Sequence, residues 1–153
     1  MVVEIDNTDR AILRALLVDG GANAKEVGVR VGLSQPAAWR RIRRLEDAGV
    51  ISGRRIVLDR QKLGFSVVVF LGVRLAVKGR LDLEAFERAV QAIPEVQLVQ
   101  HVLGVYDYRL KIVARDLSDF ERILRRRIMT LPGVGAVESN VMLSEEKAVA
   151  PLI

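Results

Sequence analysis

Residues Asn23–Ile51 read NAKEVGVRVGLSQPAAWRRIRRLEDAGVI, and their spacing decides the N-terminal fold. Asn23 with Glu26 three positions later forms an N-cap and capping-box pair, which satisfies orphan N–H groups at a helix start. Val27 and Val31 lie one turn apart on an inward face. Gly28 falls where two steeply crossing helices leave little room beyond a methyl group. Gly32 is a left-handed stop, Leu33 a core plug, and Ser34 the N-cap of a second helix that tolerates Pro36 in its first turn. From there Ala38, Ile42 and Leu45 share one stripe, while Ala37, Arg40, Arg41 and Arg44 project from the other side. Two short helices, a tight turn and a basic outer face are what places a helix in the major groove of DNA. The candidate contacts to phosphates or guanine edges are Ser34, Gln35, Ala37, Arg40, Arg41 and Arg44. A solvated basic face is the alternative reading of the same arginines.

Charge agrees with the groove reading. Between Lys25 and Arg60 stand nine basic residues (Lys25, Arg30, Arg40, Arg41, Arg43, Arg44, Arg54, Arg55, Arg60) against four acidic ones (Glu26, Glu46, Asp47, Asp59). That excess of five equals the net charge of the whole chain, +5, so the remainder is neutral. A positive patch confined to one segment is an electrostatic footprint for a polyanion. Arg54 and Arg55 open a β-prone stretch, RRIVL, expected to form a wing or arm beside the second helix, or else a solvated linker strand.

The 153 residues suffice for one compact domain or two small ones. Without cysteine there is neither a disulfide framework nor a thiolate metal site, which suits a reducing cytosol. The start, MVVEIDNTDR, is too charged for a signal peptide, and the longest apolar run, Val67 to Val73, is far short of a membrane span. No membrane association is expected. Helix one starts near Asp6, with Asp9 at its third position, and is expected to bury Ile12, Leu13, Leu16 and Leu17 before stopping at Gly20. The polar stretch DRQKLG, residues 59–64, separates this helical part from a β-rich one. The organisation expected is a helix-turn-helix domain over 1–53, a linker strand over 54–64 and a second domain over 65–153.

The second domain repeats itself. Phe86-Glu87-Arg88 recurs as Phe120-Glu121-Arg122, and Pro94-Glu95-Val96 as Pro132-Gly133-Val134. The first helix would bury Leu83, Phe86, Val90 and Ile93. The second would be capped by Ser118 with Glu121 and would bury Phe120, Ile123, Leu124 and Leu131. Strands are expected at Phe65–Val77, Val96–Leu103, Tyr106–Arg115 and Ala136–Ser144. The order is βαββαβ, the split arrangement of a ferredoxin-like sandwich, and the fold class is α+β. In the first strand one face is wholly apolar, and the other still offers Val68, Phe70 and Ala76. Helices cover one side of such a sheet, so the other side needs a partner, and two chains pairing through their sheets would present two recognition helices.

With both halves read, the chain resembles the leucine-responsive/asparagine-regulator (Lrp/AsnC) family of transcription regulators over nearly its full length. The residues that carry this are IDNTDRAILRALLVDG, EVGVRVGLSQPAAWRRIRRLEDAGVISG, LDRQKLG, GVYDYRLKIVARD and LPGVGAVESNVMLSEEK. The resemblance implies a DNA-binding domain of winged-helix-like type, joined to an effector and oligomerisation domain. It implies dimers that assemble further, often as an octamer of four dimers, and an amino acid bound between subunits near the Gly104–Asp107 loop. Gly104, Tyr106 and Asp107 match the family's glycine–aromatic–aspartate loop, and Ser139, Asn140, Val141 and Met142 fall on the last strand, which lines the effector cleft in relatives. Asp107 would accept an ammonium, although Gly104 and Asp107 also suit a tight turn. Val105 and Arg109 depart from the family's pattern, as do Gly28 and Trp39, the latter expected to be partly buried beside the core stripe.

No cofactor and no metal is expected, apart from an amino-acid effector. Three other functions compete. An enzyme is disfavoured because the one histidine, His101, alternates with apolar neighbours and has no nucleophile–base or metal partner in the sequence. RNA binding needs exposed aromatics on central strands, and Tyr106 and Tyr108, which would share one face, lie only at the start of theirs. An architectural DNA-binding protein without effector response is the nearest alternative. The reading adopted is a cytoplasmic, nucleoid-associated regulator that binds specific sequences in double-stranded DNA and whose oligomer responds to a small amino-acid ligand.

Overall fold

The structure is a computed structural model, described here for residues 3–76 and 79–146. It comprises two compact units, residues 3–58 and 59–146.

The first unit contains α1 (Asn7–Val18), α2 (Ala24–Val31) and α3 (Gln35–Asp47). Each begins with a side-chain cap. Asp6 and Asp9 form a reciprocal capping box on α1, Asn23 and Glu26 another on α2, and Ser34 accepts from the Ala37 N–H at the start of α3. Gly32 ends α2 at φ 72°, in the left-handed region. At Gly28 a Cβ would lie 2.6 Å from the Leu33 carbonyl oxygen, so the absent side chain is what lets the turn pack on α2. Ile12, Leu13, Ala22, Val27, Ile42 and Leu45 form the core. Leu16 is half-buried, whereas Leu17, also inside α1, is 54% exposed because it lies off the face that carries Ile12. Neither the expected wing nor the expected linker strand forms: residues 54–64 carry no strand, and Ile56 and Val57 are exposed. A lone segment has no neighbour to complete a ladder.

The second unit contains β1 (Val67–Leu75), α4 (Arg80–Gln91), β2 (Val96–His101), β3 (Tyr108–Ala114), α5 (Leu117–Ile123) and β4 (Val134–Val141). The sheet is antiparallel in order β2-β3-β1-β4, the ferredoxin-like arrangement. Val69, Leu71, Val73 and Leu75 of β1 pack with Phe86 and Val90 of α4 and Phe120 and Ile123 of α5. Val77 and residues beyond 146 in the expected elements lie outside the described residues.

The strands differ from their expected bounds by up to three residues, and α5 differs from expectation in two details. Asp116, not Ser118, caps α5, accepting from the Asp119 N–H at 2.7 Å. The helix also continues as a single π turn, Leu124–Ile128, closed by the Met129 N–H to the Leu124 carbonyl at 2.9 Å. Ordinary helical spacing from Ile123 would turn Arg127 toward the core; the extra residue puts Ile128 there and leaves Arg127 outside.

Candidate nucleic-acid interface and effector loop

In α3 the inward stripe of Ala38, Ile42 and Leu45 is buried, as its spacing requires. The arginines on its outer side are not equivalent. Arg41 donates to Asp6 at 2.7 Å and to Asp9 at 2.9 Å, and Arg44 also donates to Asp9. Asp9 is the one buried charged residue among the described residues. Burial favours its neutral form, yet hydrogen bonds from Arg44, the Asp6 backbone and Arg41 hold the carboxyl down at about 2. Two of the candidate readers are thus partly engaged by α1. Arg40 is exposed and has no hydrogen bond or ion pair among the described residues. Asp6, Leu33, Ala37, Arg40, Arg41 and Arg44 together line an open hollow on this face. Gln35 is exposed at the first turn, and Ser34 is occupied with its cap. Arg54 is turned to the Gly20 and Ala22 carbonyls at 3.3 and 3.2 Å and to Glu46 at 3.7 Å, while Arg55 is exposed.

Trp39 is 56% exposed, only partly buried beside the core stripe, as expected. The stripe is already filled, so its large ring stays outside.

The 102–107 loop in the second unit is strapped to β1. The Asp107 N–H donates to the Val73 carbonyl at 2.9 Å, and its carboxylate accepts from the Leu75 N–H at 2.8 Å. Arg74 donates to the Val105 carbonyl at 3.0 and 3.2 Å. Tyr106 lays its ring across Gly72, where a Cβ would come within 2.7 Å of it, and its hydroxyl donates to Glu138. Glu138 raises the Tyr106 phenol and is itself lowered by that hydrogen bond. Asn140 donates to the other Glu138 oxygen at 3.3 Å. Gly104 stands at the exposed tip, between Leu103 and Val105, both exposed.

Of the expected effector residues, the sheet therefore gathers Tyr106 and Asn140 about Glu138 on the face without helices. Ser139 pairs with Leu71, placing it on the opposite face, and Met142 follows the strand, its N–H donating to the Val68 carbonyl. Tyr106 and Tyr108 do not share a face. The loop ends the two-residue alternation, and Tyr108 is buried against Phe86 with ring centroids 4.7 Å apart. Gly72, Arg74 and Glu138 were not among the expected site residues. Their signal was a glycine inside an apolar strand, which marks close approach by another group. His101 stacks on Tyr108 at 4.7 Å and 15°. Among the described residues no cluster of three His, Asp or Glu could hold a metal ion, and no helix is long and apolar enough to cross a membrane.

Residues 5–52 match a winged helix-turn-helix DNA-binding model, and residues 68–152 match the Lrp/AsnC ligand binding domain. The chain belongs to the Lrp/AsnC family. Among its Lrp/AsnC relatives, a proline dehydrogenase transcriptional activator of Rhizobium radiobacter is 36% identical over 94% of this chain and 92% of its own length. The leucine-responsive regulatory protein of Escherichia coli is 37% identical over 94% and 88%. Similar solved structures include a Neisseria meningitidis transcriptional regulator in complex with L-methionine, with TM-score 0.93, 28% identity and coverage of 98% and 97%. Escherichia coli AsnC superposes with TM-score 0.88 at 26% identity, over 97% of this chain and 99% of its own.

Proposed function

We propose that this chain is a sequence-specific, DNA-binding transcription regulator whose oligomer and DNA affinity respond to a small amino-acid-type effector. The observation that carries the reading is the pairing of an exposed, arginine-bearing α3 in one unit with a loop strapped over a bare sheet face in the other. Gln35, Ala37 and Arg40 are the groove contacts, with Arg55 at the flank. Arg41 and Arg44 offer phosphates the donors that Asp9 leaves free. Two related regulators hold L-methionine in their structures, which supports an amino acid as the ligand here. Gly104, Tyr106 and Asp107 frame its site with Asn140 and Met142, whereas Ser139 lies on the other face of the sheet.

Dimers form through the sheet face that carries the partly exposed Phe70, Val68 on that face being already buried within the chain, and assemble further, up to an octamer. Ligand between dimers biases their relative placement, changing the spacing of recognition helices and hence which sites are bound together. The protein works in the cytoplasm, on the nucleoid, as a regulator rather than an enzyme.

Thermal-shift screening against the twenty amino acids at fixed protein concentration, followed by duplex-binding titrations with each hit, tests this. A stabilising amino acid that changes duplex affinity or oligomer size is the expected result. Identical DNA affinity with and without every amino acid would leave an architectural DNA-binding protein, and no duplex binding at low salt would overturn the reading altogether.

A further inference from the structure

We infer that Trp39 is a DNA-contacting side chain that helps set sequence preference by covering a thymine methyl group in the major groove. This rests on reading α3 as the helix that meets DNA. Tryptophan carries a large apolar surface and is ordinarily drawn well into a core. Here Ala38, Ile42 and Leu45 fill the core stripe, and Trp39, one position around the helix, is 56% exposed. Its ring has no aromatic or polar partner among the described residues. Gln35 one turn before it, Arg40 beside it and Arg43 one turn after it are all exposed.

Those neighbours identify the occupant. A protein partner covering an exposed indole would meet further apolar surface, whereas amide and guanidinium groups on either side suit a polyanion whose grooves also offer apolar patches. The thymine C5 methyl is the apolar group on a base edge. An indole beside Arg40 would discriminate it from cytosine, while the arginine takes a guanine edge or a phosphate.

Trp39 is the only tryptophan in the chain, so selectively excited tryptophan emission on DNA binding reports this side chain alone. The experiment uses the full-length protein and duplexes that it selects from a random-sequence pool. Emission should change on saturation with the selected duplex. Replacing the critical thymine by uracil, which removes one methyl, should weaken wild-type binding about four-fold. Trp39→Ala should bind the thymine duplex correspondingly more weakly, and equally well with uracil. Trp39→Phe should keep part of the preference. Oligomer size and thermal unfolding of Trp39→Ala should stay as in the wild type, because the ring contributes little to the core. Wild-type binding with unchanged emission, or the same uracil penalty in Trp39→Ala, overturns this inference and leaves the DNA-binding reading standing. Failure of the wild type to bind any duplex overturns both.

Discussion

The Arg41 guanidinium of α3 lies 2.9 Å from a carboxylate oxygen of Asp9 in α1, and the Asp9 side chain is only 1% exposed. Arg44 meets the second oxygen of the same carboxylate. A buried charge left with no partner is strongly destabilising, whereas a doubly paired one is tolerated. Asp9 titrates at about 2 in the folded chain against an ordinary 3.8. A carboxyl lowered by folding contributes stability that is fully present above its unfolded value and is lost as pH falls through the folded one. That contribution is about 2 kcal/mol and should vanish between about pH 4 and pH 2. Asp9→Asn should remove about this much from the N-terminal unit at neutral pH and flatten its acid limb. Urea unfolding followed by Trp39 emission from pH 2 to 7 measures both. An unchanged acid limb would show that the pair contributes nothing.

Arg40 and Arg41 are neighbours in sequence with different duties. Arg40→Ala should leave thermal unfolding as it is. It should cost about 1–3 kcal/mol of duplex binding if the side chain grips a guanine edge, or about 0.9 of the salt slope if it meets one phosphate. Arg41→Ala should lower both thermal stability and DNA affinity, since it leaves Asp9 with one cation. Equal effects of the two substitutions on stability would overturn the distinction.

Gly28 tests packing against propensity. Alanine is favoured over glycine inside a helix by about 1 kcal/mol. At this position, however, a Cβ would sit 2.6 Å from the Leu33 carbonyl oxygen, and backbone cannot step aside as a flexible side chain can. Overpacking of this kind costs about 1–3 kcal/mol. Gly28→Ala should therefore lower the unfolding midpoint of the N-terminal unit. A higher midpoint would mean that the turn relaxes without cost.

What could be read from the chain followed how local each feature is. Caps and stops depend on three or four neighbouring residues, and Asn23–Glu26, Asp6–Asp9, Gly32 and Ser34 all stand where the sequence puts them. The βαββαβ order followed from a duplicated pattern and short connections. Failures came where distant groups compete. Ile128 enters the core only because the helix adds a residue to one turn, which fixed 3.6-residue spacing cannot foresee. The outer-face arginines of α3 looked alike because Asp9 is more than thirty residues away in sequence. Asp116 displaced Ser118 as a cap because both types suit that role and only the helix start decides. Around the loop, Gly104, Tyr106 and Asp107 were recognisable as a motif, whereas Gly72, Arg74 and Glu138 belong to it only through strand register.

Gly72 is the position where that register can be tested. It pairs with Arg109 on one side and Glu138 on the other, and the Tyr106 ring covers it. Gly72→Ala would place a methyl group within 2.7 Å of the ring, so the ring must lift and its hydrogen bond to Glu138 must open. The Asp107 bonds to Val73 and Leu75 lie at the other end of the strap and should persist, which keeps the unit folded. The Glu138 carboxyl, now held low by Tyr106, should move up toward its ordinary range, and the Tyr106 phenol should come down. A carbon-detected titration of Glu138 and the Tyr106 ring resonances would follow both. In the same variant, calorimetry with the amino acid that stabilises the wild type should show weakened binding, while affinity for duplex without ligand is unchanged. Full ligand response with a displaced Tyr106 would remove the loop aromatic from the effector site.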